Sequence, residues 1–308
     1  MVCAEWLQDP HALGIALDGM RMYHMFRGEY DQIIVCAQKA ADWYRKAGDL
    51  FEWGQVHNGV AVSLSYQGNM TQAIPYLEEE IRVAKEAGIP NLHTMALSTL
   101  GFAYLRLGQF DKAIAVLQEC LQVSRANTFT FNIVSGGGTL VLCYLRTGQR
   151  EQALALLQEL YPIYRKNPAL WGGQIPLLWG RAEYYLGSAE QANGPERARW
   201  LKLARPACTE AIQNSQRFRP GMPGSMRLRG VYEWLAGKPA AAQKWWQRSL
   251  TLAEEMGQRY DLGLAHLEMG QRLGECAHLE CAEAIFTEIG AEWDLARVRK
   301  ASGKLQAV

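Results

Sequence analysis

The chain is short of several things that would place it quickly. Neither sign of charge dominates, with 32 Lys and Arg against 31 Asp and Glu. That balance, with 49% hydrophobic residues, excludes an intrinsically disordered chain. No apolar run approaches the roughly 20 residues of a membrane span. The residues from Met1 to Asp9 lack a basic segment followed by an apolar one, so no signal peptide is expected. The seven cysteines are odd in number and scattered, which excludes a disulfide framework and points to a reducing, cytoplasmic setting. No stretch sustains the period-two alternation of a strand.

Catalytic signatures are also missing. There is no G-x-x-x-x-G-K-[ST] phosphate loop. Gly136-Gly137-Gly138-Thr139 has neither its spacing nor its lysine, and reads as a close-packing site at the start of a helix. The six histidines form no H-E-x-x-H pair. Cys276, His278 and Cys281 make the nearest approach to a metal site, but no second ligand pair follows them. No cofactor or metal is expected. The tryptophans, among them Trp171, Trp179, Trp234 and Trp246, fit core positions better than a cofactor box.

Repetition is what the chain does have. Glycine turns recur at Gly28, Gly68, Gly108 and Gly148, each 40 residues after the last. The series continues less evenly at Gly187, Gly237 and Gly274. A second series, Gly48, Gly88 and Gly257, follows 20 residues behind some of the first. Glycine accepts the left-handed conformation that ends a helix, so each unit reads as two helices joined by tight turns. Within the units small residues (Ala61, Gly101, Gly180, Gly230) let helices approach closely. Ala73, Ala113, Ala153 and Ala242 stand five residues past their turn glycines, where the helices of a hairpin cross.

Leu100-Gly101-x-x-Tyr104, then Gly108-x-Phe110 and Ala113-x-x-x-Leu117, is similar to the tetratricopeptide pattern. The period of 40 exceeds the usual 34, and HEAT or armadillo repeats match the length but not the small–Tyr–Gly–Ala set. The resemblance implies an all-α, right-handed superhelical solenoid of about seven hairpins over residues 1–308, with 291–308 as a capping helix and tail. The first unit is degenerate, with Arg21 and Ile33 at small-residue positions. Ser188 to Pro195 reads as an inserted loop. Glu183 and Glu233 fall where large apolar residues are expected, and would need arginine partners if buried; Arg229 is the candidate for Glu233.

From Leu228 to Gly237, at Trp245-Trp246 and from Ala282 to Arg297 the chain resembles the repeat region at the end of bacterial adenylate/guanylate cyclase and STAND/AAA-ATPase signalling proteins. That resemblance implies signal transduction. Repeat solenoids present an extended concave groove. Counting back two and six residues from each turn glycine gives aligned rows on the first helices: Tyr66, Arg106, Arg146 and Tyr185, then Val62, Phe102, Leu142, Arg181 and Val231. Asn58 extends the same face by a turn. The expected function is a non-catalytic scaffold that holds a protein or peptide partner, with Arg106 and Arg146 pairing with its carboxylates. The carboxylate-clamp pattern of chaperone co-factors is not matched beyond Asn58. A small effector in the groove, regulating a cyclase or ATPase, is the alternative. Basic residues crowd 196–230, with Arg227 on the groove side. They read as a solvated helix face or a dock for an acidic partner; no nucleic-acid-binding signature accompanies them.

Overall fold

The computed structural model describes residues 9–168, 170 and 172–306, without the side chains of 304–306. Trp171 and the residues before Asp9 lie outside it. Among the described residues there are fifteen α-helices, one short 3-10 turn and no strand. The helices pair into seven hairpins: α1 (Pro10–Arg27) with α2 (Tyr30–Ala47), α3 (Leu50–Gln67) with α4 (Met70–Glu86), and α5 (Pro90–Arg106) with α6 (Phe110–Ala126). Then come α7 (Thr130–Arg146) with α8 (Arg150–Lys166), α9 (Ile175–Gln191) with α10 (Gly194–Arg217), α11 (Met222–Leu235) with α12 (Pro239–Glu255), and α13 (Arg259–Leu273) with α14 (Cys276–Ile289). A last helix, α15 (Glu292–Gln306), follows. The solenoid expected from the glycine period is therefore present.

The turns form as the sequence predicts. Gly68, at φ 94°, ends α3 by donating its N–H to Ser65 O while Asn69 N–H reaches Leu64 O. Ala73, Ala113, Ala153 and Ala242 are all fully buried at the crossings. A Cβ on Gly101 would collide with Leu117, and one on Gly230 with the indole of Trp246. The three glycines of α7 lie mid-helix rather than at its start, and each admits a different neighbour. Gly136 faces Cys120 of α6, Gly137 faces Leu160 of α8, and Gly138 lies against the backbone of Leu177 in α9.

The fifth hairpin departs from the expectation. Gly187 is not its turn: α9 runs on to Gln191, held by Ser188 Oγ donating to Tyr184 O at 2.8 Å. The connection is only Ala192 and Asn193, because Pro195 lies in the first turn of α10, where a missing N–H costs nothing. The supposed insertion is therefore mostly helix. Thr128 is the other surprise, since it fills the left-handed position (φ 57°) that glycine holds at Gly48 and Gly88.

The solenoid winds far enough for its last repeats to meet its first. Gln258 Nε2 donates to Tyr30 Oη at 2.6 Å and to Pro220 O at 3.0 Å. Met256 covers Gly28, Arg259 and Ile289 press on Gly68, and Trp293 of α15 presses on Gly108. Three of the turn glycines thus also make room for the C-terminal hairpins.

Candidate functional site

Closure divides the inner wall into two chambers. The partition is built on Arg106, which is only 2% exposed at the end of α5. Its Nη2 donates to Asp261 Oδ2 at 2.8 Å and its Nη1 to Ser65 O at 3.2 Å. The rings of Phe102, Tyr260 and Tyr66 surround the guanidinium at 4.5, 4.8 and 5.0 Å. A buried ion pair needs that much enclosure and hydrogen bonding to offset its desolvation. Arg106 is therefore committed to the chain's own carboxylate.

Arg146 is committed in the same way. It joins a ladder along the second chamber: Arg146 to Glu183 at 2.6 Å, Arg227 to Glu183 at 3.0 Å and to Glu268 at 3.3 Å, and Arg272 to Glu268 at 2.9 Å. Burial opposes ionisation of Glu183, but the two guanidiniums outweigh it and hold its carboxyl down at about 2. Burial likewise opposes the charge on Arg146, and Glu183 more than restores it. This chamber, about 510 Å³, is polar and internally neutralised apart from Lys300 at its mouth. Glu183 and Glu233 do take arginine partners, the latter Arg229 at 2.5 Å as the sequence suggested.

The first chamber is different in kind. It is a half-enclosed cavity of about 550 Å³ on the inner faces of α1, α3, α5 and α7. Apolar surface comes from Met22, Met25, Val62, Phe102, Phe131 and Phe218, with Phe131 packed on Gly173 and Phe218 on Gly172. Between these stand amides and hydroxyls, including Gln55, Asn91, Ser98 and Thr99. Asn58 is buried in the wall; its Nδ2 donates to Glu80 at 3.2 Å and its Oδ1 accepts from Thr99 at 3.1 Å. Burial pushes the Glu80 carboxyl well above the usual range, and the Asn58 bond offsets only part of that. The side chain of Asn132, also on the wall, has an Oδ1 with no hydrogen-bond partner among the described residues. Enclosed, largely apolar walls with a few polar groups are what small-ligand and peptide pockets require.

The ten residues of the groove expectation separate accordingly. Asn58, Val62, Tyr66 and Phe102 converge on the first chamber, and Arg146 and Arg227 on the second. Leu142 is buried in the core. Arg181 and Tyr185 face away from both chambers. Arg181 pairs with Glu210 of α10 at 2.6 Å over the Tyr161 ring, and Tyr185 stacks on Trp200. The cause is Gly187: counting back from a residue that is no turn lands on the wrong face of α9. Glu183, Gly187 and Glu190 hold the inner positions instead.

Sequence reasoning missed Asp18, Arg21, Met22 and Met25 because the first unit looked degenerate. The signal was available, since six residues before Gly28 is Met22. The segment 196–230 belongs to α10, the 3-10 turn and α11. Arg227 and Arg229 are internal, whereas Arg199, Lys202, Arg205 and Arg217 are exposed on α10. Cys276 and Cys281 are exposed free thiols, and His278 instead shares a hydrogen bond with His266. No helix is long and apolar enough to cross a membrane among the described residues.

Comparison with known proteins agrees with this architecture. A tetratricopeptide repeat model matches residues 54–126. A 71-residue stretch is 30% identical to outer dynein arm-docking complex subunit 4 of Danio rerio, covering 23% of this chain and 15% of that protein. Among solved structures, a Rap protein complexed with competence and sporulation factor shares the fold at TM-score 0.65 and 12% identity. That match covers 92% of this chain and 74% of the other. The Rap conjugation gene regulator of plasmid pLS20, in complex with the Phr* peptide, matches at TM-score 0.63 and 14% identity, covering 94% and 73%. These likenesses concern fold. They do not show the expected resemblance to cyclase- and ATPase-linked repeat regions.

Proposed function

We propose that this chain is a non-catalytic peptide-binding scaffold of bacterial signal transduction, and that the peptide sits in the first chamber. The observation that carries the reading is the contrast between the two chambers. The second is filled with mutually neutralised charge, while the first offers an apolar, aromatic cavity whose amides suit a peptide backbone. The Rap structures that share the fold are described with a peptide or with competence and sporulation factor, which supports the same kind of ligand here. The groove arginines Arg106 and Arg146 have no part in it. Asn58, Val62, Tyr66 and Phe102 remain as contacts.

A pool of fluorescein-labelled pentapeptides with apolar central residues, read by anisotropy, tests this. Phe102→Asp places a charge in the chamber and should weaken binding at least about tenfold. Arg199→Glu on the outer face of α10 should leave it unchanged. No binding by any member, or equal binding by the Phe102 variant, would refute the proposal.

A further inference from the structure

The first chamber contains a guanidinium with unfilled donors. Arg21, on α1, is only 5% exposed and lines the cavity. Its Nε donates to Asp18 Oδ1 at 2.6 Å. The four N–H bonds of Nη1 and Nη2 meet no oxygen among the described residues. Nη2 has the Met22 sulfur at 3.3 Å and Nη1 the Met25 sulfur at 4.0 Å. Thioethers are weak acceptors, and buried arginines elsewhere in the chain do better: Arg106 and Arg227 each reach two oxygens through their Nη atoms.

The position of the group is built rather than incidental. A Cβ at Gly59 on α3 would stand 2.9 Å from Arg21 Nη1, so the absence of a side chain there makes room for the guanidinium. The Cδ–Nη1 side of Arg21 thus packs over Gly59, in a wall that carries Met22, Met25, Val62 and Phe102 beside its amides and hydroxyls. A planar pair of donors without an oxygen acceptor fits a carboxylate, which can take both bonds at once.

We infer that the end-on edge of Arg21 is the anchor for a carboxylate of the bound peptide, and that the carboxylate is the free C-terminus. This rests on the peptide reading above. The side chains of the ligand then extend past Val62 and Phe102 toward Phe218. Asp18 keeps its own bond to Nε and, being partly solvated, opposes the incoming charge without excluding it. Two carboxylates on one arginine already occur in this chain, at Arg227. Asp18 therefore tempers the affinity, and its removal should raise it.

The test takes the tightest pentapeptide of the labelled pool, made once as the free acid and once as the C-terminal amide. On the wild-type chain the amide should bind roughly ten- to a hundredfold more weakly, the usual range for losing a charge-assisted bond. Arg21→Gln should bind acid and amide alike, and Asp18→Asn should tighten the acid while leaving the amide unchanged. Acid and amide binding the wild type within threefold of each other would overturn the anchor but leave the peptide reading intact. If no pentapeptide binds in either form, both fall. Because the acid–amide comparison uses the unaltered chain, the outcome does not depend on a variant folding.

Discussion

At the scale of single residues, the informative groups are those whose chemistry is at odds with their burial. Glu80 is fully buried with Asn58 as its hydrogen-bond partner, and burial raises its carboxyl well above its ordinary range. An acid whose folded value is raised holds its proton above the pH at which the unfolded chain loses it, so stability falls as pH rises from the ordinary carboxylate range. Glu80→Gln removes that dependence. Thermal unfolding should show the variant and wild type alike near pH 4.5 and the variant more stable at pH 8. Glu183 behaves in the opposite sense: its contribution is complete above the ordinary carboxylate range and is lost as pH falls toward about 2. Arg106 and Asp261 form the costliest pair to break. Arg106→Met alone leaves a buried carboxylate without a counter-charge and should cost about 3–5 kcal/mol in denaturant unfolding, while Arg106→Met with Asp261→Leu should recover most of it. The repeat pattern could place Arg106 on an inner face but not show it occupied, because its carboxylate lies 155 residues away. Thr128 was equally hidden, as a β-branched residue in a position that favours glycine. Thr128→Gly should raise stability by about 1 kcal/mol.

At the scale of helices, the regular part of the chain was legible and the irregular part was not. Glycine spacing located the turns of the first four hairpins, since a left-handed cap demands a residue type that stands out in a sequence. It failed at α9, where a glycine of the right spacing sits inside a helix. Two substitutions separate these cases. Gly187→Ala meets only Nη1 of Arg150, at 3.3 Å, and should stabilise α9 by up to about 1 kcal/mol. Were Gly187 a left-handed turn, the same change would destabilise. Gly138→Ala drives a methyl into the backbone of α9 and should cost about 1–3 kcal/mol. The error at Gly187 also explains the misplaced site residues, because Arg181 and Tyr185 were counted from it. On α1 the same count from Gly28 reaches Met22 on the inner face, but Arg21 in place of a small residue disguised that face as a degenerate repeat.

At the scale of the molecule, closure between the first and last hairpins decides what the inner surface can do. An open groove of rows would have offered Arg106 and Arg146 to a partner. The closed solenoid consumes both and leaves one apolar chamber and one polar one. Nothing in a local pattern announces such closure, because Gln258–Tyr30 and Trp293–Gly108 join residues far apart in sequence. We propose that α15 helps to hold the closure. Deleting residues 291–308 removes Trp293 and the buried Leu295 and Val298, and should promote aggregation by exposing the edge around Phe110. A truncated chain that stays monomeric and equally stable would speak against that role.

Methionine methyl NMR tests the central claim most directly, since Met22, Met25 and Met95 line the first chamber while Met222 and Met269 lie elsewhere in the fold. Titration with the tightest pentapeptide should shift Met22, Met25 and Met95 most. Larger shifts at Met222 or Met269, with the three chamber methyls unmoved, would contradict the assignment of the chamber as the binding site.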